Sequence, residues 1–341
     1  MKPLSPSDPT EIGGFVLSGV LGEGGMGKVY YGESESGELV AVKVIKDIWA
    51  DRDDLRERFV REVEALKTAL GPRVAGLVDA DIEGKSVWLA VEYVPGETLE
   101  QHVSKRGPLS LENAAILGAA LAEGLVTIHK AGLLHRDLKP HNILLGPSGP
   151  KVIDFGLAIL HERKEALTAP GIPVGTLVCM SPEQARGEQP LPAGADIYGL
   201  GATLLYALTG HYPYDGATPY AIMYDLCNES VLPDLKGVPS LLEPLLGQMI
   251  AFNVGDRPGL PELKSCLVSL ATREGITAAE ARRRLIAATY VQMEPTATTP
   301  QPRPFEEKAG KSTTDPVVYR LPATEALATR LRSAYAKGLP L

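Results

Sequence analysis

The stretch "HRDLKPHN", residues 135–142, places six polar or charged side chains in eight consecutive positions. Two apolar runs flank it, "GLL" at 132–134 and "ILL" at 143–145. Polar residues of these types rarely sit together in a protein core. We therefore interpret the stretch as a loop that is anchored by the apolar runs and whose side chains take part in catalysis.

Three residues of this loop have side chains suited to phosphoryl transfer. Asp137 could accept a proton from an incoming hydroxyl group or orient that group. Lys139 could offset the charge of a transferring phosphoryl group. Asn142 could donate an oxygen to a metal ion.

A second acidic candidate, Asp154, ends the apolar strand in "KVIDFG" at 151–156. A carboxylate in this place suits Mg²⁺, which takes few protein oxygens together with nucleotide phosphates. Taken alone, Asp-Phe-Gly is equally typical of an ordinary strand end.

A glycine-rich stretch, "LGEGGMGKVY" at 21–30, holds Gly22, Gly24 and Gly27 in GxGxxG spacing. The residues that follow predict a strand rather than a helix, which favours a hairpin folded over phosphates. Glycine lets backbone N–H groups approach an anion without obstruction by Cβ. The motif alone is also consistent with a turn that binds nothing.

Lys43 lies within the apolar strand "VAVKVI" at 40–45 and is expected to point inward with Ala41. A lone buried cation is costly and requires an anion nearby. Glu62, on the apolar face of a predicted helix, is the expected partner, with Glu57 and Glu64 as competitors. The other interpretation is that these are unrelated surface charges.

Bulk composition excludes several classes of protein. A net charge of −8 argues against a nonspecific nucleic-acid binder. Three cysteines without CxxC spacing fit a reduced, cytoplasmic protein. The N-terminus lacks the apolar region of a signal peptide, and the uncharged apolar stretch at 197–210 is too short for a bilayer. We expect no membrane span and no nucleic-acid partner.

The first part of the chain predicts strands and one helix. Residues 1–12 are rich in Pro and Ser and predict a flexible leader. Residues 15–45 predict strands separated by Gly-bearing turns. Residues 51–70 have the periodicity of an amphipathic helix, and strands are expected at 74–80 and 86–93.

The later part of the chain is mainly helical in its pattern. Residues 110–131 predict one long buried helix, 159–190 a long loop, and 195–271 further helices. Residues 272–341 predict a C-terminal tail of short helices and a disordered Pro/Thr-rich linker. A strand-rich part before a helix-rich part indicates an α+β protein.

The ordered set of motifs resembles the eukaryotic-like (Hanks-type) bacterial serine/threonine protein kinase family, over roughly residues 13–271. The matching elements are "LGEGGMGKV", "VAVK", Glu62, "HRDLKPHN", "DFG", "SPE" at 181–183, Asp196 and "DRP" with Arg257. The resemblance implies a bilobal protein kinase fold. A small antiparallel β-sheet N-lobe with one helix would span about 13–94, and a larger, mainly α-helical C-lobe about 95–271.

The resemblance also implies roles for individual residues. Asp137 would be the catalytic base, Lys139 and Lys43 would contact phosphates, and Asn142 and Asp154 would bind Mg²⁺ or Mn²⁺. Backbone groups of Glu92 and Val94 would bind adenine beside Val91, although the apolar positions around the ring are equally consistent with core packing. The residues implied for ATP binding are Leu21, Gly22, Glu23, Gly24, Gly25, Met26, Gly27, Lys28, Val29, Ala41, Lys43, Glu62, Glu92, Val94 and Leu144. Glu183 and Arg257 would form an ion pair, and Asp196 would anchor the catalytic loop.

The implied activity is transfer of the ATP γ-phosphoryl group to Ser or Thr hydroxyls of protein substrates. Arg136 suggests control by autophosphorylation at Thr168, in a possible homodimer, whereas Thr176 would shape the substrate groove. The alternative is a pseudokinase or nucleotide-binding scaffold. A small-molecule phosphotransferase is disfavoured by "SPE" and the long loop, which would serve peptide docking.

Overall fold

The computed structural model describes residues 1–24, 27–45, 53–82, 84, 86–155, 177–216 and 218–292, with side chains of the first helix from Phe59 onward. The N-terminal lobe is a six-stranded antiparallel sheet in the order β1-β2-β3-β4-β6-β5. Its strands are β1 (Glu11–Ile12), β2 (Phe15–Gly24), β3 (Gly27–Glu33), β4 (Leu39–Ile45), β5 (Leu77–Asp81) and β6 (Trp88–Glu92). Helix α1 (Asp53–Leu66) lies between β4 and β5 in the sequence, inside the predicted range 51–70.

The two faces of this sheet have different surroundings, because side chains alternate along each strand. One face carries a buried apolar cluster, here called the outer cluster. Its members are Phe15, Leu17, Val20, Tyr30, Val40, Val42, Trp88 and Ala90. The opposite, inner face carries the intervening residues. Val29 is paired with Lys43, and Ala41 with Val91, in the strand register.

Residues 1–12 lie against the sheet, whereas the sequence predicts a flexible leader. Lys2 forms an isolated bridge with Val20, and β1 pairs with β2. The Asp8 carboxylate accepts a hydrogen bond of 2.6 Å from Lys28. The Pro- and Ser-rich composition did not indicate these contacts, and those of Lys2 and Asp8 are made to partners about 20 residues away.

The C-terminal lobe consists mainly of helices around a small three-stranded sheet of order β7-β8-β9. The strands are β7 (Glu97–Thr98), β8 (Ile143–Gly146) and β9 (Gly149–Val152). The helices are α2 (Leu99–Arg106), α3 (Leu111–Lys130), α4 (Pro182–Ala185), α5 (Gly194–Thr209), α6 (Pro219–Leu226), α7 (Glu243–Met249), α8 (Leu260–Ala271) and α9 (Ala278–Thr289). The α+β class and the bilobal arrangement expected from the sequence are confirmed.

Helix α3 is the predicted long buried helix. Within the described part of the chain it alone has the length and apolar composition of a membrane-crossing helix, and 67% of its most apolar window is buried inside the protein. Most of its buried residues, from Ala114 to Ile128, belong to the main core together with residues of α5 and α8.

Helix α9 lies within the region predicted as a tail. Ala281 and Leu285 are 3% and 1% exposed and belong to the main core, so the folded domain continues past residue 271. Residues 293–341, including the predicted Pro/Thr-rich linker, lie outside the described residues.

Candidate active site

The loop 135–142 is held by one buried carboxylate, that of Asp196 near the start of α5. Its Oδ2 accepts the backbone N–H of His135 at 2.8 Å and lies 2.7 Å from His129 Nε2. Its Oδ1 accepts the backbone N–H of Arg136 at 2.8 Å. Burial alone would raise the pKa of Asp196, but these hydrogen bonds and the neighbouring histidines lower it overall.

Arg136 has a backbone φ of 63°, which non-glycine residues rarely adopt. The hydrogen bond from its N–H to Asp196 and a second one, in which its carbonyl accepts Gln184 Nε2 at 2.6 Å, hold this conformation. Gln184, in α4, was missed by the sequence reasoning. Its position directly after "SPE" offered the only signal.

His135 is fully buried at the base of the loop. Its Nδ1 accepts the Asp137 backbone N–H at 3.3 Å, and its Nε2 lies 3.2 Å from the Ile153 carbonyl. A neutral ring protonated on Nε2 satisfies both contacts. Burial lowers the pKa of His135, which favours the same neutral form.

Asp137, Lys139 and Asn142 are brought together as predicted. Lys139 Nζ lies 2.8 Å from Asp137 Oδ2. Asn142 Nδ2 donates to the Asp137 carbonyl at 2.8 Å and to Oδ2 at 3.2 Å. The Asn142 side chain thereby fixes both the backbone and the carboxylate of Asp137.

Lys43 and Asp154 meet across the cleft between the lobes. Lys43 Nζ lies 3.0 Å from Asp154 Oδ2, and the Asp154 side chain is 40% exposed. Asp154 has a φ of 58°, again an uncommon conformation for a non-glycine residue. The next residue, Phe155, is buried in the same core cluster as Phe59 and Val63 of α1.

The predicted Lys43–Glu62 pair is replaced by two other pairs. Glu62 Oε1 lies 3.0 Å from Arg136 Nη1, at 13% and 22% side-chain exposure. Lys43 instead pairs with Asp154. The helical periodicity correctly placed Glu62 on the side of α1 that faces the cleft, but periodicity does not determine which cation lies nearest. Of the predicted competitors, Glu64 pairs with Lys67, and the side chain of Glu57 lies outside the described residues.

The remaining nucleotide-site candidates come from strands of both lobes or from the residues next to them. Partial burial is shared by five of them: Leu21, Val29, Ala41, Val91 and Leu144. Gly22, Glu23 and Gly24 end β2 and Val94 is buried after β6.

The side chain of Glu92 is held from the other lobe, a contact that the sequence reasoning missed. Lys151 Nζ donates to both carboxylate oxygens of Glu92, at 2.5 and 2.6 Å. The pairing of Lys151 with Leu144 in β8–β9 locates this ion pair beside the candidate adenine site.

The strands predicted on either side of the glycine-rich stretch are β2 and β3, and they pair antiparallel. Gly24 pairs with Gly27, and a Cβ atom at Gly27 would lie 1.8 Å from the Val44 carbonyl oxygen, so glycine is required there. The Lys28 side chain points to Asp8 on the outer face, so only its backbone can face a nucleotide. Gly25 and Met26 lie outside the described residues.

The donor set at the base of the cleft fits a magnesium-type ion. Asn142 supplies an amide oxygen and Asp154 a carboxylate, both hard oxygen ligands. The Asn142 carbonyl accepts the Ile153 N–H at 3.0 Å, which holds the two segments side by side. No cluster of three or more His, Cys, Asp or Glu side chains occurs in the described ranges, so phosphates would have to complete the coordination.

Glu183 and Arg257 form the ion pair that the family resemblance implied, with N–O distances of 2.6 and 3.0 Å and no exposed side-chain surface. Burial alone would raise the pKa of Glu183, but the hydrogen bonds from Arg257 lower it overall. Thr168 and Thr176 lie outside the described residues.

Comparisons with known proteins agree with this geometry. A family model described as "Protein kinase domain" matches residues 15–267. The serine/threonine-protein kinase AfsK of Streptomyces coelicolor is 42% identical over 266 residues, which cover 77% of this chain and 33% of AfsK. The probable serine/threonine-protein kinase PkwA of Thermomonospora curvata is 41% identical over 263 residues, 77% of this chain and 35% of PkwA. The chain therefore spans about a third of the length of these relatives.

A solved structure has the same fold. The crystal structure of the PknI kinase domain of Mycobacterium tuberculosis aligns with a TM-score of 0.62 over 79% of this chain and 100% of that chain. The two sequences are 24% identical, so this likeness concerns the fold alone.

Proposed function

The chain belongs to the protein kinase domain family, and from this premise we propose that it transfers the ATP γ-phosphoryl group to Ser or Thr hydroxyls of protein substrates. The convergence of Lys139 and Asn142 on the Asp137 carboxylate carries the proposal. A scaffold that only held nucleotide would not require this arrangement. The names of AfsK and PkwA support the serine/threonine class.

The proposed reaction uses Asp137 to orient the substrate hydroxyl and accept its proton. Lys139 and Asn142 both contact Oδ2, so we assign Oδ1 to the incoming hydroxyl. The Lys139 ammonium, 2.8 Å from Oδ2, lies where it can also offset charge on the transferring phosphoryl group.

The nucleotide is proposed to lie between the glycine-rich hairpin and β8. Lys43 would bind its phosphates, and backbone groups of Glu92 and Val94 would bind adenine. Asn142 and Asp154 would hold a divalent ion, Mg²⁺ or Mn²⁺, which neutralises phosphate charge when bound. Asp154 would then exchange its contact with Lys43 for the metal, which frees the ammonium for the phosphates.

The test is direct. Purified protein is incubated with Mg·ATP and a Ser/Thr-containing protein substrate, and phosphosites are mapped by mass spectrometry. We expect Ser and Thr phosphorylation that Lys43→Ala abolishes. ATP binding by the wild-type protein without any transfer, under conditions in which the metal is varied, would instead support the scaffold interpretation.

We further propose control by phosphorylation of Thr168. Arg136 pairs with Glu62, so a phosphate that competes for Arg136 would release Glu62 from this pair. Glu62 could then approach Lys43 while Asp154 binds metal. In this proposal the observed ion pairs belong to a less active arrangement.

Regulation is tested with Thr168→Ala and Arg136→Met, singly and together. If phosphothreonine acts by drawing Arg136 away from Glu62, Thr168→Ala lowers activity. Arg136→Met frees Glu62 without the phosphate, so its activity should not depend on Thr168 and the double variant should equal Arg136→Met. Fully active protein with unmodified Thr168 would refute this mechanism. A rise in the specific rate of autophosphorylation with protein concentration would support transfer within a homodimer.

A further inference from the structure

Residues 1–12, here called the N-terminal segment, complete the outer face of the N-terminal lobe. Lys2 and Val20 exchange two backbone hydrogen bonds of 2.9 and 2.8 Å. The Met1 side chain packs over Gly19, where an added Cβ would lie 2.7 Å from its Cγ and Sδ. Leu4 and Ile12 pack against the outer cluster. The segment is therefore part of the lobe that carries the glycine-rich hairpin.

Asp8 is the polar centre of this contact. Its Oδ1 accepts hydrogen bonds from Lys28 Nζ at 2.6 Å and from Tyr30 Oη at 2.9 Å. Its Oδ2 accepts the N–H and the hydroxyl of Ser5, both at 2.8 Å. The Asp8 side chain is only 6% exposed. Burial and the hydrogen bond to Asp8 raise the pKa of Tyr30 to about 12, so the phenol remains a donor at neutral pH.

The two residues of the sheet that donate hydrogen bonds to Asp8, Lys28 and Tyr30, both lie near the start of β3. Lys28 and Tyr30 flank Val29, and neighbouring residues of a strand point to opposite faces. Val29 is paired with Lys43 in the register, on the face that lines the cleft. A contact that holds the side chains of Lys28 and Tyr30 on the outer face of the sheet therefore also holds the side chain of Val29 on the inner face.

The pairing of β2 with β3 is irregular, so contacts from outside this pair can affect the position of the hairpin. Their register shifts twice, between Leu17 and Gly19 and between Val20 and Gly22. Irregularities of this kind bend and twist a strand, so the ladder alone specifies the hairpin weakly. The bridge from Lys2 reaches Val20 between the two shifts. The N-terminal segment thus contacts the hairpin at its irregular part and, through Asp8, at Lys28 and Tyr30 near the start of β3.

We infer that Asp8 is a positioning residue for nucleotide binding, acting through Lys28 and Tyr30 on the glycine-rich hairpin. The inference rests on the proposed function, in which residues 21–29 cover ATP. Asp8 itself lies on the far face of the sheet from the nucleotide. Without its charge β2 and β3 would still pair, but the start of β3, and with it Val29, would be held less firmly on the side that faces the nucleotide.

The experiment compares steady-state kinetics of Asp8→Asn, Lys28→Gln and the double variant, with ATP varied at saturating peptide substrate. We expect KM for ATP to rise about five-fold in each single variant, with kcat nearly unchanged, and the double variant to resemble the singles. Glu35→Gln is the matched control, since Glu35 is an exposed acid in the turn after β3. Asp8→Glu should recover most of the wild-type KM.

The outcomes separate the inference from the function. An active wild-type protein whose Asp8→Asn variant has the KM of Glu35→Gln overturns the inference and leaves the kinase proposal intact. A wild-type protein without transfer overturns the kinase proposal first. If Asp8→Asn fails to fold, Lys28→Gln and Tyr30→Phe test the same contact from its partners on β3, and an unchanged KM in both overturns the inference.

Discussion

At the scale of single residues, the candidate catalytic loop is a set of backbone groups organised by buried side chains. Asp196 accepts the N–H groups of His135 and Arg136, and Asn142 holds the carbonyl of Asp137. Arg136 keeps an uncommon backbone conformation because its N–H and carbonyl both have partners. The carboxylate of Asp137, the proposed base, is therefore positioned by the side chains of Asp196 and Asn142.

Asp137→Asn separates chemistry from binding. The amide keeps the shape of the carboxylate but cannot accept the hydroxyl proton, so we expect phosphoryl transfer to fall at least about a hundred-fold. ATP binding, measured by calorimetry, should stay within about two-fold, because the nucleotide contacts lie on other residues. Asp215→Asn, an exposed change in the same lobe, is the control. Turnover like that of the wild-type protein would contradict the assignment of Asp137.

Because His135 is buried, we expect the stability of the protein to depend on pH. Burial lowers its pKa in the folded protein from the ordinary value of 6.5. Below about pH 6.5 the unfolded chain therefore binds more protons than the folded one, and stability falls as pH falls. Urea unfolding between pH 7.5 and 5.5 should show this loss.

The same urea unfolding measurement on histidine variants shows which residues cause the pH dependence of stability. His135→Gln should be less stable overall because it loses contacts, but its stability should change less steeply with pH. Burial also lowers the pKa of His102, so His102→Gln should flatten the remaining slope. His141→Gln, at an exposed position, is the control. A slope unchanged by His135→Gln would show that other groups carry the pH dependence.

At the scale of elements, the sequence was informative where a pattern repeats locally. The alternation in "VAVKVI" and the 3.6-residue periodicity before Leu66 identified β4 and α1, because each pattern reflects one buried face. A short helix was expected where α9 lies, but neither its packing into the main core nor the contacts of Lys2 and Asp8 with the sheet were predicted, because those partners are distant in sequence. Local composition reports polarity, but it contains no information about which surface a segment will cover.

In the candidate site too, features within one segment were predicted, whereas contacts between distant segments were not. Motif spacing predicted that Asp137, Lys139 and Asn142 share one loop, since all three lie within six residues. It did not predict the exchange of partners among Lys43, Glu62, Arg136 and Asp154, because these residues come from four separate segments. Which of two cations approaches Glu62 depends on the placement of α1, and this placement is a tertiary property.

Helix α9 should contribute to the stability of the kinase domain. Leu285 is 1% exposed in the main core, so Leu285→Ala should lower the free energy of unfolding by about 2–5 kcal/mol. Arg284→Ala, one position earlier and exposed, should have little effect. Chemical denaturation of the full chain measures both. Equal unfolding midpoints for the two variants would show that α9 is dispensable.

At the scale of the whole molecule, buried polar contacts join segments that are far apart in the chain. Glu183 and Arg257 are separated by 74 positions, and Arg257 also donates to the carbonyls of Gly194, Ala251 and Phe252. A guanidinium with this many partners fixes the relative placement of α4, α5 and the turn before α8. Because Gln184 of α4 holds the catalytic loop, this pair indirectly supports the site.

Arg257→Met should expose the cost of an unpaired buried charge. Removing one partner of such a pair destabilises proteins by about 3–5 kcal/mol, since the remaining carboxylate has lost its counter-charge. The double variant Glu183→Met/Arg257→Met removes that charge and should be more stable than the single variant, although the lost carbonyl contacts keep it below the wild-type protein. Arg283→Met, in an exposed pair with Glu280, should leave the unfolding midpoint unchanged.

The pH dependence distinguishes lost charge pairing from lost packing in Arg257→Met. In the wild-type protein Arg257 lowers the pKa of Glu183, so the pair stabilises the fold above the unfolded pKa of the carboxyl group. Without Arg257, burial raises that pKa, and the folded state prefers the protonated acid. Arg257→Met should therefore be destabilised less at pH 5 than at pH 7, when compared with wild-type protein at the same pH. If Arg257→Met instead loses the same free energy of unfolding at both pH values, Arg257 acts through packing and its carbonyl contacts. The charge of the Glu183–Arg257 pair would then not be what holds α4 in place.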